Sequence, residues 1–313
     1  MPQSQPQPQR IGFIGLGMMG APMARRLLRA GFELFVADAD EARLGAFTAA
    51  GAEAGTGAAA QRLTSANADR LDALITMLPN SDVVEGVLID SAGPRWAAAL
   101  PGGAVVLDMS SSEPARSRAL GTTLAALGLD YLDAPVSGGV SKAQQGTLAI
   151  LVGGAAAVLE RCRPLLAAMG GSILHIGAAG SGHAAKALNN YVSAAGLVAT
   201  VEALHVAARF GIDPAVMTAV LNASSGRSNT SENKVKQFML SGTYASGFAL
   251  QLMHKDLKIA QALSAAVGYP MRLGTGCVAI WEEASKRSTP RTDHTEMYRL
   301  LADESGPAGH DPE

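Results

Sequence analysis

The sequence predicts an α/β domain with a mainly parallel sheet, followed by an all-helical domain. Up to Gly177, short apolar runs alternate with helix-like segments, an alternation that is typical of β-α-β units. Beyond Gly177 no strand pattern is evident, and residues 182–210 are rich in Ala, Leu and Val and lack proline. Because this segment is apolar nearly all round, it predicts a long buried helix.

The elements of the first domain are predicted where apolar runs are bounded by turn residues. The predicted strands are 11–14, 34–37, 73–77, 104–109, 131–133, 148–152 and 173–176. Helices are predicted at 21–30, 41–50 and 114–127, and a glycine directly follows each of them. In the second domain the predicted helices are 182–210, 213–221, 232–239, 252–267, 274–285 and 296–302.

These patterns place the α/β domain at residues 10–177 and the helical domain at residues 178–302. Residues 1–9 and 303–313 are polar and contain several prolines, so they are predicted to be disordered tails. Residues 1–9 have no apolar run and do not resemble a signal peptide. Gly, Pro or polar residues interrupt every apolar run of membrane-spanning length. The sequence therefore predicts a soluble cytoplasmic protein.

The composition excludes several functional classes. Hydrophobic residues make up 48% of the chain and charged residues 17%, so the chain can bury a large core. The formal net charge is −2 and no Lys/Arg cluster occurs, so neither nucleic acid nor a membrane is expected as a partner. Cys162 and Cys277 lack metal or redox spacing, and no His, Cys, Asp or Glu cluster has the spacing of metal ligands. We therefore expect reduced thiols and no metal.

A glycine-rich motif follows the first predicted strand. Its three glycines have distinct roles: Gly15 permits a tight turn, Gly17 lets the backbone approach a pyrophosphate, and Gly20 lets helix and strand pack closely. The free N–H groups at the helix N-terminus would bind the phosphates. This context predicts an N-terminal Rossmann dinucleotide-binding domain. The expected cofactor-binding residues of this motif are Gly15, Leu16, Gly17, Met18, Met19 and Gly20.

Asp38 stands at the end of the second predicted strand. Its carboxylate would accept hydrogen bonds from the ribose hydroxyls and would repel a 2′-phosphate. Ala39 and Asp40 offer no cation for such a phosphate, so the sequence predicts NAD rather than NADP. The alternative is that Asp38 only caps the helix that begins near Glu41.

The sequence resembles the β-hydroxyacid dehydrogenase family, which includes 3-hydroxyisobutyrate dehydrogenases and tartronate semialdehyde reductases and is related to 6-phosphogluconate dehydrogenases. Residues 12–24, GFIGLGMMGAPMA, resemble the family signature, and the resemblance extends over residues 10–302. The Asn-Leu pair that usually follows is Arg26-Leu27 here, a minor departure. The resemblance implies an NAD-dependent oxidoreductase that transfers a hydride between a small 3-hydroxyacid and the nicotinamide ring.

Further segments resemble the family's cofactor site. Residues 76–79 resemble a loop that lies against the cofactor, and residues 108–112 resemble a segment in which Ser111 stands where threonine is usual. By the same resemblance, the additional cofactor-binding residues are Met77, Leu78, Pro79, Val83, Ser111 and Lys255.

Residues 133–140 resemble the family's substrate loop. Two glycines after a serine can turn backbone N–H groups toward an anion, and the Ser137 hydroxyl adds a donor. We therefore expect Ser137, Gly138 and Gly139 to bind a small carboxylate; a plain turn is the alternative. The resemblance also implies Phe248 and Asp256 at the substrate site. Their alternatives are core packing for Phe248 and a surface charge pair for Lys255 and Asp256.

Residues 180–190 carry the predicted chemistry. Lys186 and Asn190 are four residues apart and share one helix face. Burial of a lysine in an apolar helix would lower its pKa toward neutrality, which suits a general acid/base; a side chain that extends to solvent is the alternative. The resemblance implies that Lys186 is the catalytic acid/base and that Asn190, rather than Asn189, orients the substrate.

Two histidines and one further segment remain outside these assignments. His183 and His205 occupy no catalytic position of the family, so we expect them to have surface or packing roles. No role follows from the sequence for residues 293–295.

Single positions separate the alternatives among related enzymes. 6-Phosphogluconate dehydrogenases have a carboxylate three residues after the asparagine, where this chain has Ser193. Imine reductases replace the catalytic lysine, and sulfolactaldehyde reductases alter the Ser-Gly-Gly loop; both features are intact here. A 3-hydroxyisobutyrate-like acid is therefore the leading substrate. Tartronate semialdehyde reduction and L-serine oxidation are the alternatives.

Two further expectations are that the chain is an enzyme and that it forms a homo-oligomer. A non-catalytic NAD-binding module would not need Ser137, Lys186 and Asn190 together, so an enzyme is favoured. Apolar surface on the long helix and the family resemblance both predict a homodimer or homotetramer.

Overall fold

The computed structural model describes residues 7–50, 59–89 and 96–302. The chain divides into two compact units, Met1–Lys186 and Ala187–Glu313. Apart from residues 7–9, the predicted tails lie outside the described residues. The division falls within a helix, whereas the sequence pattern places the domain boundary before that helix, at 177/178.

The first unit contains one sheet, with nine strands among the described residues. The strands are β1 (Arg10–Ile14), β2 (Glu33–Ala37), β3 (Gln61–Arg62), β4 (Ala73–Thr76), β5 (Val105–Asp108), β6 (Asp130–Asp133), β7 (Val136–Ser137), β8 (Leu148–Gly154) and β9 (Gly170–Gly177). Their order is β3-β2-β1-β4-β5-β6-β8-β7, and β9 pairs with β8. The pairs from β3 to β6 are parallel, whereas β8 is antiparallel to both β6 and β7.

The central parallel strands end in one row. Ile14 of β1 pairs with Thr76 of β4, Thr76 pairs with Asp108 of β5, and Asp108 pairs with Asp133 of β6. The chain passes from β1 to β2 on one side and later returns to β4 on the other side of β1. Ligands of such sheets bind outside the carboxyl ends of the strands, at the point where the strand order reverses.

Helices connect the strands of this unit. They are α1 (Gly20–Arg29), α2 (Glu41–Ala50), α3 (Ser65–Ala68), α4 (Ser81–Leu88), α5 (Trp96–Ala99), α6 (Pro114–Ala126), α7 (Gly139–Gln145) and α8 (Ala156–Ala167). Successive strand residues belong to different apolar clusters: Phe13 and Ile75 lie in one, and Ile14 and Leu74 in the other. Because side chains alternate along a strand, the sheet is buried on both faces. This confirms the predicted fold class of the first domain.

The second unit is helical. The helix α9 (Ser181–Phe210) enters it from the first unit. It is followed by α10 (Pro214–Ala223), α11 (Asn229–Asn233), a π-helical turn (Val235–Met239), α12 (Leu250–Ala266), α13 (Arg272–Lys286), a 3₁₀ turn (His294–Glu296) and α14 (Met297–Ala302). The described part of this unit contains no strand, only an isolated bridge between Ala249 and Asp293. The prediction of an all-helical second domain is therefore confirmed.

One predicted helix has a different form. Residues 232–239 were expected to be one helix, but α11 ends at Asn233 and the π-helical turn follows. The φ of Lys234 is −126°, and Leu240 N donates to Val235 O, five residues back. The irregular backbone at Lys234 ends the α-helical hydrogen-bond pattern.

By length and composition alone, α9 is apolar enough to cross a membrane, and among the described ranges it is the one helix that is. Its residues Leu197, Val201 and Leu204 are buried in the apolar cluster of the second unit, together with Trp281 of α13. These residues pack α9 into the core of the second unit, but only 39% of its most apolar 18-residue stretch is buried, so the predicted burial of the whole helix is wrong.

Candidate functional site

The glycine-rich loop lies between β1 and α1. Gly15 has a φ of 100°, and a Cβ there would collide with the Met77 carbonyl; a Cβ on Gly20 would collide with the Gly15 carbonyl. Both positions therefore require glycine. A Cβ on Gly17 would meet nothing within 4 Å. Within the described residues, α1 has no side-chain cap at Met19 and no acidic residue in its first turn. Open space beside an uncapped helix N-terminus fits the pyrophosphate of NAD.

Asp38 lies directly beside this loop. One carboxylate oxygen accepts from Leu16 N at 2.6 Å, and the other accepts from Asp40 N at 2.8 Å. The cap of α2 is Asp40, which accepts from Ala42 N and Arg43 N. The capping alternative for Asp38 is therefore wrong, and its place beside the loop is consistent with a ribose contact.

Arg43 is a cation that the sequence pattern did not reveal. Its Nη1 lies 3.6 Å from Asp38 Oδ1, and its Nη2 lies 3.4 Å from Asp40 Oδ2. Arg43 is half exposed, so these pairs are weak. Loss of the Asp38 charge would leave this guanidinium available to a 2′-phosphate.

We predict that Asp38→Ser shifts the cofactor preference toward NADP. The ratio of kcat/KM for NADP to that for NAD should rise about 10–100-fold, because repulsion is removed and Arg43 becomes available. Steady-state kinetics with both cofactors measure the ratio. Asp40→Ser is the matched control, since serine keeps the helix cap, and it should change the ratio far less. An unchanged ratio in Asp38→Ser would show that Asp38 does not discriminate.

Asp108, at the end of β5, is fully buried in a polar network. Its carboxylate accepts from Thr76 Oγ1 at 3.0 Å, Ser110 N at 3.0 Å and Ser112 Oγ at 2.8 Å. Ser110 Oγ in turn accepts from Leu78 N at 2.9 Å. These bonds join the ends of β4 and β5 and fix the two segments in which cofactor contacts are predicted.

Asp133, at the end of β6, anchors α9. Its Oδ1 accepts from Gly180 N at 2.7 Å and its Oδ2 from His183 N at 2.9 Å, so the carboxylate satisfies donors at the helix start. Asp133 is fully buried. It precedes Ser137 by four residues, and α9 carries Lys186 three residues after His183. One carboxylate therefore sets the placement of the predicted substrate loop relative to the helix of the predicted catalytic lysine.

The His183 ring is buried in the same network. Its Nδ1 lies 2.7 Å from Ser117 Oγ and its Nε2 lies 3.1 Å from the Ser110 carbonyl oxygen. A carbonyl only accepts, so Nε2 carries the hydrogen of this bond. His183 thus links the first turn of α9 to α6 and to the segment after β5. His205 stacks on Tyr298 and contacts its carbonyl oxygen, a packing arrangement.

The predicted substrate loop forms β7 and the start of α7. Val136 and Ser137 pair with Ile150 and Ala149 of β8, which holds the loop against the sheet. The next two glycines, Gly138 and Gly139, have φ values of 134° and 69°. Successive positive φ values turn the backbone sharply, as a loop that presents N–H groups to an anion requires.

Lys186 and Asn190 are both buried on α9, at 9% and 5% exposure, whereas Asn189 is exposed. The alternative of a lysine extended into solvent is therefore wrong. Asn190 Nδ2 donates to Asp256 Oδ2 at 2.6 Å. Asp256 is 2% exposed, and its Oδ1 lies 3.2 Å from Lys255 Nζ. Lys255 and Asp256 are thus no ordinary surface pair, and Asp256 orients the Asn190 amide.

The structure therefore groups the predicted site residues within each unit. In the first unit, the segments after β1, β4, β5 and β6 and the start of α9 lie along the carboxyl edge of the sheet. In the second unit, Asp256 contacts both Asn190 and Lys255. Phe248 lies just before α12, is partly buried and packs against the apolar cluster of this unit. Val83 is exposed in the first turn of α4.

The described residues contain no group of three or more His, Cys, Asp or Glu side chains that could hold a metal. Cys162 and Cys277 are buried free thiols, and burial raises the pKa of each to about 11. Neither thiol is therefore poised as a nucleophile.

Sequence reasoning did not identify the buried pair Asp108 and Asp133 or the role of His183. A signal was present for the carboxylates, because each directly ends an apolar strand, where a charge needs partners. No local signal identifies His183, since its partner Ser117 lies 66 residues away.

Two family models match this chain. The family model described as the NAD binding domain of 6-phosphogluconate dehydrogenase matches residues 10–177. The model described as NAD-binding of NADP-dependent 3-hydroxyisobutyrate dehydrogenase matches residues 180–301.

Two curated relatives and one solved structure match almost the whole chain. A 2-(hydroxymethyl)glutarate dehydrogenase of Eubacterium barkeri is 36% identical, covering 95% of this chain and 96% of the relative. An NAD-dependent L-serine dehydrogenase of Pseudomonas aeruginosa is 35% identical, covering 94% and 98%. The structure of Mycobacterium tuberculosis 3-hydroxyisobutyrate dehydrogenase with L-serine has a TM-score of 0.83 at 31% identity, covering 95% and 99%. With such identity along nearly its full length, this chain belongs to the β-hydroxyacid dehydrogenase family of NAD-dependent oxidoreductases.

Proposed function

We propose that this chain oxidises a small 3-hydroxyacid with a free carboxylate, and that 3-hydroxyisobutyrate is its leading substrate. The observation that carries the proposal is the buried pair Lys186 and Asn190 on a helix that Asp133 anchors beside the predicted substrate loop. A lysine is rarely buried, and buried titratable groups are concentrated at functional sites.

The names of the relatives support this substrate class. 2-(Hydroxymethyl)glutarate, L-serine and 3-hydroxyisobutyrate differ in size and charge, but all contain a primary alcohol on the carbon next to C2 of a carboxylic acid. The shared fragment is 3-hydroxypropionate with one substituent on C2. The carboxylate and the alcohol are thus the groups that the proposed site must recognise, and the C2 substituent must distinguish the substrates.

The chain's residues have complementary roles in this proposal. Ser137 and the N–H groups of Gly138 and Gly139 hold the substrate carboxylate. NAD, when bound, supplies the acceptor for the hydride that leaves the alcohol carbon. Lys186 Nζ takes the hydroxyl proton, so that the alcohol becomes an aldehyde, and in the reverse direction it returns that proton. Asn190, held by Asp256, orients the reacting oxygen.

A substrate panel tests the proposal. NADH formation is followed with 3-hydroxyisobutyrate, L-serine, D-glycerate, L-threonate and 6-phosphogluconate, and NADH consumption with tartronate semialdehyde. We expect the highest kcat/KM with 3-hydroxyisobutyrate and NAD. Preferential reduction of tartronate semialdehyde would favour the reductase alternative. NAD binding without turnover of any panel member would contradict the proposal and favour a non-catalytic NAD-binding module.

We also propose that the protein is a cytoplasmic homodimer or homotetramer. The second unit exposes large apolar side chains on neighbouring helices, among them Val192, Val206 and Phe210 of α9 and Val216 of α10. Phe210 is 83% exposed, which is unfavourable for a monomer in water. A monomer mass in light scattering of the full-length chain would contradict the proposed assembly, and membrane-bound protein in cell fractionation would contradict the proposed compartment.

A further inference from the structure

Asp293 is the centre of a buried polar cluster in the second unit. It is 7% exposed, and Gly247 N donates to its Oδ2 at 2.8 Å and Phe248 N at 3.2 Å. Ser246 Oγ donates at 2.8 Å to the other oxygen, which also accepts from Thr295 N at 2.9 Å. Three consecutive residues, 246–248, therefore donate to one carboxylate.

His294 also contacts Phe248, through its backbone and its ring. The Phe248 carbonyl oxygen accepts from His294 N at 2.9 Å, and it lies 3.1 Å from His294 Nδ1. The two rings also pack edge to face, with centroids 5.7 Å apart. Both backbone polar groups and the ring of Phe248 thus contact residues 293 and 294. A free loop would not have this degree of restraint.

The charges of the cluster follow from these contacts. Burial alone would raise the pKa of the Asp293 carboxyl, but hydrogen bonds from His294, Thr295 and Ser246 outweigh it and hold the pKa well below its usual value. Burial lowers the pKa of His294, and the 3% exposed ring has an Nε2 without a partner among the described residues. At neutral pH the cluster therefore contains an ionised carboxylate and a neutral imidazole.

Lys234 is a nearby charge of opposite sign. Burial lowers its pKa to about 8, although the charge of Asp293 acts in the other direction. Lys234 stands where the helical backbone changes from α11 to the π-helical turn. The hydrogen bonds of the cluster join the segment before α12 to the 3₁₀ turn at 294–296.

We propose that Asp293 and His294 are positioning residues that fix Phe248 as a wall beside the C2 substituent of the substrate, and so determine substrate selectivity. The inference rests on the proposed function and on the substrate contact that the family resemblance implies for Phe248. It follows from the restraint of Phe248: an aromatic wall discriminates between substituents only where its position is fixed. The same restraint fixes the start of α12, which carries Lys255 and Asp256.

The test compares substrates that differ by one methyl group at C2, 3-hydroxyisobutyrate and 3-hydroxypropionate. Asp293→Asn and His294→Phe should each lower the ratio of their kcat/KM values, by about threefold or more, because one methyl group is worth about 10–200-fold at most. Phe248→Leu should lower the same ratio. Adding Asp293→Asn to Phe248→Leu should lower it no further, because both changes act through one side chain.

Controls separate selectivity from stability. Asp213→Ala removes a helix cap in the same unit, since Asp213 accepts from Ala215 N and Val216 N. It should lower the melting temperature without changing the ratio. Ser246→Ala, which removes one donor to Asp293, replaces Asp293→Asn if that variant does not fold.

The other possible outcomes overturn either the inference or the proposed function on which it rests. A ratio that stays at the parent value in both positioning variants, with only the melting temperature lowered, overturns the inference alone. The inference is also overturned if the effects of Asp293→Asn and Phe248→Leu on the ratio of kcat/KM values multiply in the double variant. If the parent chain oxidises neither these two acids nor L-serine with NAD, the proposed function fails, and the inference fails with it.

Discussion

Lys186→Ala should lower kcat about 10²–10⁴-fold in both reaction directions, which is the usual contribution of a general acid/base. This corresponds to about 3–5 kcal/mol of activation free energy. The substitution removes the amine that is proposed to exchange the hydroxyl proton, whereas the glycine-rich loop that would bind NAD is unchanged. Stopped-flow or steady-state assays measure the loss, and NAD titration should give an affinity close to that of the parent.

Two further variants show whether proton transfer is the lost step. Lys186→Arg keeps the positive charge but does not release a proton near neutral pH, so it should be nearly as impaired as Lys186→Ala. Methylamine in solution should partly restore turnover to Lys186→Ala, because a small amine can replace the missing side chain. Lys286→Ala removes an exposed lysine paired with Glu283 and should behave as the parent does. Near-parental turnover by Lys186→Arg would contradict the acid/base role.

The fold of the first domain could be predicted because short, continuous stretches of sequence indicate its glycine-rich loop and its strands. The glycine-rich loop occupies six consecutive residues, and at Gly15 and Gly20 the backbone itself excludes a side chain. Parallel strands that are buried on both faces appear as short apolar runs, and their carboxyl ends lie along one edge of the sheet. The order of the runs and the segments after them therefore predicted where the site residues of this unit would lie.

Several features that escaped prediction depend on contacts distant in the sequence, although helices such as α4 and α8 were also missed. Strands β3 and β7 have two residues each, too few for any periodicity. The antiparallel direction of β8 is set by its pairing with β6 and β7, which no residue of β8 encodes alone. The contact of Arg43 with Asp38 arises where α2 begins, and it appears only once the turn before that helix is known.

For the same reason, the positions of the predicted site residues in the fold could be anticipated only in part. Spacing on one helix correctly placed Lys186 and Asn190 on a buried face, because four residues make about one helical turn. Spacing could not place Asp256 against Asn190, since the two residues are separated by 66 positions. The grouping of Asp293 with Phe248 likewise required the fold, since it joins segments 45 residues apart.

Asp133→Asn should lower both the stability and the turnover of the enzyme. One carboxylate oxygen of Asp133 accepts from the N–H of Gly180, directly before α9, and the other from the N–H of His183 in its first turn. Asparagine offers only one acceptor oxygen. An N–H group would then face the asparagine amide nitrogen, and a buried donor left unsatisfied costs about 1–3 kcal/mol. Denaturant unfolding measures this loss.

The expected effect on turnover follows from the position of α9. The start of α9 would lose one of its two hydrogen bonds to Asp133 of β6. Displacement of a catalytic group by about 1 Å can lower the reaction rate about 10²-fold. We therefore expect kcat to fall about 10–100-fold, with little change in the KM for NAD. Asp130→Asn is the matched control, because Asp130 lies on the same strand in a partly exposed ion pair with Arg161, 2.7 Å apart. Such a pair contributes at most about 1 kcal/mol and lies away from the site. If Asp133→Asn lost stability but kept the kcat of Asp130→Asn, Asp133 would support the fold without positioning Lys186.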